Sequence, residues 1–179
     1  MAGQGELIAL LGEYQGLLLP ILKAHGGSID KFMGDGILAS FGAVSPDPAF
    51  AAQALRAVDA IWTAAGLPAP DVGAGLTSGE VVFGIIGHGR RLEYTLIGDA
   101  VNLAAKLEKH NKVEHSRGLT TRTTYQLARA QGLRGQQGAP CGPPGRRRGR
   151  AAGSGGARLD CPRESLSILV NIDGRAILG

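Results

Sequence analysis

An aspartate between two glycines, Asp35 in the run G-D-G, is the residue whose type and setting first suggest chemistry. A Gly-Asp-Gly run favours a tight turn, and a tight turn holds its aspartate exposed and in a fixed place. Carboxylate oxygens are the ligands that hard cations such as Mg²⁺ prefer. Asp35 is therefore a candidate metal ligand. The alternative is that it serves only the geometry of the turn.

A second polar group lies on a predicted helix. Asn102 follows Asp99 by three positions and precedes Lys106 by four. Residues at these spacings lie along one helix face, so the three side chains point the same way. Such a face can bind a polar ligand, and the alternative is that it simply faces water.

Three sequence motifs, taken in order, carry a family resemblance. They are S-I-D-K-F-M-G-D-G-I-L-A-S-F-G from Ser28, S-G-E-V-V-F-G-I-I-G from Ser78 and T-L-I-G-D-A-V-N-L-A-A-K from Thr95. Together they resemble the catalytic domain of the class III nucleotidyl cyclases, in its bacterial adenylate-type form. The resemblance implies an intracellular signalling enzyme that converts ATP into cyclic AMP and pyrophosphate, using two Mg²⁺ or Mn²⁺ ions.

The resemblance also assigns roles to individual residues. It implies that Asp35 is one of two metal-binding aspartates and that Lys31 and Thr95 select the base. A cation beside a hydroxyl matches the ring-nitrogen acceptor and amino donor of adenine. It implies that Asn102 orients the ribose and that Lys106 holds the transition-state phosphate. The family usually has Arg at this last position. A Lys keeps the charge but loses the bidentate fork, so we expect weaker catalysis.

The start of the chain departs from the family pattern. The family's first metal aspartate ends an opening strand, yet no aspartate precedes Asp30, and Met1–Gly5 is short and rich in glycine. We therefore expect the first strand and one metal carboxylate to be missing, which leaves unpaired strand edges. Because the family's sites form between two subunits, we expect a homodimer or a heterodimer with an intact cyclase. The alternative is an inactive or partner-dependent cyclase-like subunit that binds nucleotide or an intact cyclase.

Hydrophobic spacing and turn residues predict the elements that position these side chains. We expect an α+β fold, a ferredoxin-like antiparallel sheet with helices packed on one face. The predicted helices are Glu6–Ala24 with Pro20 near its end, Ala49–Ala65 capped by Asp47, Asp99–His110 capped by Asp99 itself, and Thr123–Ala130. The predicted strands are an Ile29–Phe41 hairpin, a hairpin of Val72–Ser78 with Glu80–Ile86, Arg91–Ile97 and Leu119–Thr121.

The excess of positive over negative charge lies outside the predicted cyclase domain. Residues 1–114 hold 8 Lys and Arg against 12 Asp and Glu, whereas residues 115–159 hold 9 Arg and no acid. We therefore expect no nucleic-acid partner for the folded part. An RNA-binding module ranks last, because only 4% of the residues are the aromatics that would stack on bases.

Composition divides the chain into three parts. Residues 1–132 are the partial cyclase domain, and residues 133–165, rich in Gly, Arg and Pro, are predicted to be disordered. Residues 166–179 form a short apolar tail of unknown role, which could make a strand pair around Asp173-Gly174. Two cysteines and the lack of any apolar run of roughly 18 residues indicate a cytoplasmic chain without a membrane segment.

Overall fold

A computed structural model describes residues 4–64, 72–88, 91–134 and 164–172. The helices and strands predicted up to residue 130 are confirmed, with ends shifted by a few residues. The predicted hairpin of Val72–Ser78 with Glu80–Ile86 is wrong, because the second of these strands pairs with Arg91–Ile97 instead. No helix in these four ranges is long and apolar enough to cross a membrane. The elements are α1 Gln4–Ala24, β1 Gly27–Met33, β2 Gly36–Phe41, α2 Phe50–Thr63, β3 Val72–Glu80, β4 Val82–His88, β5 Arg91–Ile97, α3 Asp99–Glu114, β6 Gly118–Thr120, α4 Arg122–Ala130 and β7 Glu164–Ile172.

Five of the strands form one sheet in the order β1-β2-β7-β3-β6, and β4 pairs with β5 separately. All neighbours in the large sheet are antiparallel except β3 and β6, which run parallel. The mixture of helices with a mainly antiparallel sheet confirms the predicted α+β class.

Strand β7 takes the central place in the sheet, between β2 and β3. The sequence predicts unpaired strand edges there, because an opening strand is expected to be missing. In the described part of the chain no strand precedes α1, yet β7 pairs with both β2 and β3 and covers those edges. The strand pair predicted around Asp173-Gly174 lies in part outside the described residues.

The main core lies on one face of the sheet. Successive strand residues point to opposite faces, so alternate residues of β2 and β3 pack against α1, α2 and α4. Full burial of a large aliphatic or aromatic side chain contributes about 1.5–3 kcal/mol. The members of this core with the least exposure are Leu18, Leu22, Ile37, Ala39, Phe41, Ala51, Ala52, Ala54, Ala57, Ile61, Ala74 and Ala128.

Helix α3 packs on the opposite face. Its Ala104 joins Leu38 of β2 and Leu96 of β5 in a second, smaller cluster. The predicted packing of helices on one face therefore applies to α1, α2 and α4 and must be corrected for α3. The physical reason is that Gly73 and Gly75 leave the second face of β3 without bulk, which gives a helix room to cross.

The helix ends correct two predicted caps. Asp47 Oδ1 accepts a hydrogen bond of 2.7 Å from Ala49 N, before α2 begins. The first-turn amides of α2 donate instead to Gln131 Oε1, from Ala51 at 2.8 Å and from Ala52 at 3.1 Å. The predicted capping of α2 by Asp47 is therefore wrong, because the side chain of Gln131, 80 positions away from Ala51, accepts the hydrogen bonds from the first turn.

The predicted cap of α3 by Asp99 is also wrong. Gly98 is the N-cap residue and makes no side-chain cap, while Asp99 lies in the first helical turn. An acidic residue there is still favoured by the helix dipole. Helix α1 continues past Pro20 to Ala24. Leu18 and Leu22, on either side of the proline, are fully buried and hold this last part of the helix against the core.

Candidate functional site

Asp35 lies at the tip of the hairpin that joins β1 and β2. The two strands pair from Gly27 with Phe41 to Met33 with Gly36, so Gly34 and Asp35 form a two-residue turn. Gly34 has φ 64°, as two-residue hairpin loops with glycine in first place require. The predicted turn is confirmed, and it holds the half-buried carboxylate of Asp35 at the end of the sheet.

Lys31 lies on β1 just after an irregularity in the strand. The register with β2 shifts between Ile29 and Lys31, and Lys31 then pairs with Leu38. A β-bulge of this kind turns the side chains that follow it. Lys31 is exposed on an edge strand of the five-stranded sheet.

The strand that carries Thr95 meets the strand that carries Lys31. Thr95 lies on β5 and pairs through its backbone with Gly84 of β4, while β5 as a whole contacts β1. The Thr95 side chain lies outside the described part. The structure therefore brings the two predicted base-selecting positions onto neighbouring strands.

Asn102 and Lys106 occupy the exposed face of α3. The buried residues of this helix are Ala100, Ala104, Glu108 and Asn111, at spacings of three and four. Asn102 and Lys106 are both exposed and four positions apart, so they share the opposite face. The predicted arrangement of these two residues on one helix face is confirmed.

Two hydrogen bonds fasten α3 to β3. Thr77 Oγ1 donates to the Ala100 carbonyl at 2.6 Å, and Asn111 Nδ2 donates to the Ala74 carbonyl at 3.0 Å. Between them, a β-carbon on Gly75 would collide with the Ala104 carbonyl and with the backbone of α3 one turn later. Sequence reasoning missed these contacts. The available signal was the alternation of small residues in G-A-G along β3.

Gly98 lets the chain enter α3 at close range. A β-carbon on this residue would lie 2.7 Å from the Glu80 carbonyl oxygen and 3.3 Å from Val81 Cα. The glycine in T-L-I-G-D therefore serves close packing between the start of α3 and the connection from β3 to β4. Gly98 therefore helps to position the helix that carries Asn102 and Lys106.

Asp30 is a half-buried acid to which the sequence assigned no role. Its Oδ1 accepts a hydrogen bond of 3.1 Å from Ser40 Oγ. Its Oδ2 is buried and has no hydrogen-bond partner in the described part. Burial raises the pKa of Asp30 from 3.8 to about 6, and the bond from Ser40 opposes that rise. Asp30 also lines a cleft of about 620 Å³, together with Lys23, Ser28 and Phe32.

The described residues do not form a complete metal centre. They contain no group of three or more His, Cys, Asp or Glu side chains arranged to hold an ion. At the hairpin tip, Asp35 supplies one carboxylate. A cation of the Mg²⁺ type takes about six oxygen ligands and is often held by one or two carboxylates together with substrate phosphates, so Asp35 could supply one ligand of a metal ion that arrives with a nucleotide.

The chain resembles known cyclases in sequence and in fold. Adenylate cyclase 1 of Rhizobium meliloti (strain 1021) is 36% identical over 117 residues, which are 60% of this chain and 18% of that protein. The adenylyl cyclase CyaB from P. aeruginosa is 27% identical with a TM-score of 0.60, over 99% of this chain and 87% of that one.

The guanylyl cyclase Cya2 is similar to the same degree. It is 25% identical with a TM-score of 0.57, over 97% of this chain and 84% of that one. No protein-family model matches the chain. The chain spans less than a quarter of the length of the curated relatives that it matches. By sequence over 60% of its length and by fold, this chain belongs to the class III nucleotidyl cyclase catalytic domains.

Proposed function

We propose that this chain takes part in converting ATP into cyclic AMP and pyrophosphate as one subunit of a dimer. The observation that carries the proposal is the fixed placement of three polar side chains. Asp35 stands at the tip of a two-residue turn, and Asn102 and Lys106 share the exposed face of α3, a helix whose backbone is fastened to β3. Similarity to adenylate cyclases supports ATP as the substrate.

In this reaction the ribose 3′-hydroxyl attacks the α-phosphate and pyrophosphate leaves. We assign Lys31 and Thr95 to recognition of the adenine edge. The Lys ammonium would donate a hydrogen bond, and the Thr hydroxyl can donate or accept one. Asn102 would orient the ribose through its amide. Lys106 would neutralise charge that develops on the transferred phosphate, a role that depends on preorganised positive charge.

The exposed positions of Asn102 and Lys106 agree with a site that is shared between two subunits. Asn102 and Lys106 are exposed on the face of α3 that points away from the sheet, so a second subunit can approach them. The β4–β5 pair also exposes large apolar side chains, with Ile85 63% and Val82 71% accessible. Exposed apolar groups of this kind favour association with a partner.

We further propose that Mg²⁺ or Mn²⁺ is required and that Asp35 is one of its ligands. Since the described residues form no group of three or more His, Cys, Asp or Glu side chains that could hold an ion, further ligands would come from the nucleotide phosphates or from the partner subunit. The single carboxylate favours a second candidate function, a partner-dependent subunit that has no turnover alone.

The test is cyclic nucleotide production by the purified chain, with ATP or GTP and with Mn²⁺ or Mg²⁺. We expect cyclic AMP from ATP, and we expect Asp35→Asn to lower the rate at least 100-fold. The matched control is Asp59→Asn, an exposed aspartate on α2, which should leave the rate unchanged. A preference for GTP would overturn the choice of adenine but not the cyclase activity.

If the purified chain is folded but shows no activity, a second experiment mixes it with an intact cyclase whose base-selecting Lys has been replaced. Restored cyclic AMP production that depends on Lys31 of this chain would support the partner-dependent function. Activity in neither experiment would contradict both proposals.

A further inference from the structure

Strand β7 is far from its sheet neighbours in sequence but lies between them in space. It pairs antiparallel with β2 over residues 166–171 and with β3 over residues 164–172. The last described residue before it is Arg134, at the end of the segment that follows α4. The centre of the sheet is therefore completed by a segment that arrives from a remote part of the chain.

The pairing register matches the character of the residues on all three strands. Apolar residues of β7 pair with buried members of the main core: Leu166 with Phe41, Ile168 with Ala39 and Leu76, Val170 with Ile37 and Ala74, and Ile172 with Val72. Between these, Ser167 pairs with Ser40 and Thr77. A slip of one residue would break every one of these matches, so the segment and its two neighbours specify a single register.

The place occupied by β7 is a slot with two strand edges. Adjacent strands lie about 4.8 Å apart, so the distance from β2 to β3 admits one extended strand and no more. Without an occupant, both edges would present unpaired backbone groups beside the buried residues 36–41 of β2, which is costly. The slot therefore requires an apolar strand of about the length of β7.

The connection to β7 does not restrict the source of that strand. Residues 135–163 are rich in Gly, Arg and Pro, and roughly 30 residues can span up to about 100 Å when extended. The cost of closing such a connection changes only slowly with its length. The register and the slot are identical in every copy, so they do not distinguish the chain's own β7 from that of another copy.

We propose that the slot between β2 and β3 is a strand-binding site that also accepts residues 164–172 of a second copy, so that two copies exchange β7. A connection of this length, if it behaves as a linker, gives the chain's own strand an effective concentration on the order of millimolar. The exchanged form should therefore increase with protein concentration. Its contacts lie inside the sheet and do not involve Asn102 or Lys106.

The test uses disulfide formation between full-length chains in which Cys141 and Cys161 are replaced by Ser. One copy carries Ser40→Cys and the other Ser167→Cys, two nearly isosteric changes at paired positions. The matched control replaces the second change with Ser165→Cys, since Ser165 pairs with Gly79 of β3 and with no residue of β2. After joint refolding, we expect at least 10-fold more cross-linked dimer from the first mixture, in a yield that rises with concentration.

A single chain with both Ser40→Cys and Ser167→Cys separates the two parts of the proposal. If it forms an internal disulfide but the mixture gives no dimer up to about 1 mM, near the effective concentration set by the connection, exchange between copies is wrong. If neither disulfide forms in chains with the native circular dichroism, the slot assignment itself is wrong. Should Ser40→Cys fail to fold, Thr77→Cys with Ser167→Cys tests the same register from the β3 side. None of these readouts depends on nucleotide turnover.

Discussion

The Thr77 hydroxyl donates a 2.6 Å hydrogen bond to the Ala100 carbonyl and so joins the sheet to the first turn of α3. Both partners are buried, with Thr77 fully inaccessible and Ala100 7% exposed. Asn102 follows Ala100 by two positions on the same helical turn. The position of the exposed polar face of α3 therefore depends on a contact made on its hidden face.

Replacing Thr77 with Val removes this hydrogen bond and keeps the shape of the side chain. We expect the free energy of unfolding to fall by about 1–2 kcal/mol, because a buried hydrogen bond is lost. Urea denaturation measures the change. Thr77→Ser keeps the hydroxyl and should lose less stability than Thr77→Val. Equal losses for the two variants would show that the methyl group, and not the hydrogen bond, is what matters.

Gly75→Ala tests the close approach of α3 to β3. The added carbon would meet the Ala104 carbonyl and would lie 2.6 Å from Glu108 N, so the helix must shift. We expect a loss of about 3 kcal/mol, the upper part of the range for overpacking, measured by thermal and urea unfolding. Gly84→Ala is the control, since no atom lies within 4 Å of its added carbon. A loss for Gly75→Ala no larger than for Gly84→Ala would contradict the packing described.

The half-buried carboxyl of Asp30 predicts a pH-dependent stability. Below pH 3.8 the group is protonated in folded and unfolded chains alike, whereas between 3.8 and about 6 the unfolded chain ionises first. Ionisation of the buried group therefore destabilises the fold as the pH rises through about 6. We expect Asp30→Asn to match the wild-type melting temperature near pH 4 and to exceed it at pH 8.

Ser40, whose hydroxyl donates a hydrogen bond to Asp30, provides a second test of this pH dependence. The Ser40 hydroxyl lowers the pKa of Asp30, so Ser40→Ala should move the midpoint of the pH dependence upward. Lys23 lines the same cleft as Asp30 and remains in both variants. If the melting temperatures of wild type and Asp30→Asn differ by the same amount from pH 4 to pH 8, the ionisation of Asp30 is not the cause of that difference.

Lys106→Arg tests the phosphate role within the proposed function. An Arg presents a planar fork that binds phosphate oxygens in pairs, which a Lys cannot do. We expect kcat to rise several-fold while KM changes little. Lys112→Arg, also exposed on α3 but six positions from Lys106 and therefore off the face that Lys106 shares with Asn102, is the control. Equal changes in the two variants would remove Lys106 from the proposed chemistry.

Local patterns predicted the parts of this fold that local physics determines. The hairpin tip at Asp35 follows from Gly34 and its left-handed backbone, and the polar face of α3 follows from the spacing of Asn102 and Lys106. Each depends on residues within one turn of the chain. The roles of Lys31, Thr95, Asn102 and Lys106 remain predictions, as does the disorder of residues 133–165, most of which lie outside the described ranges.

Long-range contacts explain the misses. Gln131 caps α2 from 80 positions away, so the nearby Asp47 seemed the better cap. Helix α3 packs on the second face because Gly75 admits its backbone, and the G-A-G run along β3 does not show which helix takes that place. Strand β7 completes the sheet through pairs with β2 and β3, and its apolar residues give no hint of which neighbours they meet.

The bulge in β1 also has a consequence for solubility. Together, β1 and the three-residue β6 form the two outer rims of the large sheet. The bulge distorts the first rim, and the second is too short to template another strand. Folded copies are therefore less prone to pair through the edges of this sheet and to form β-aggregates. The backbone groups of the central strand β7 are already paired on both sides.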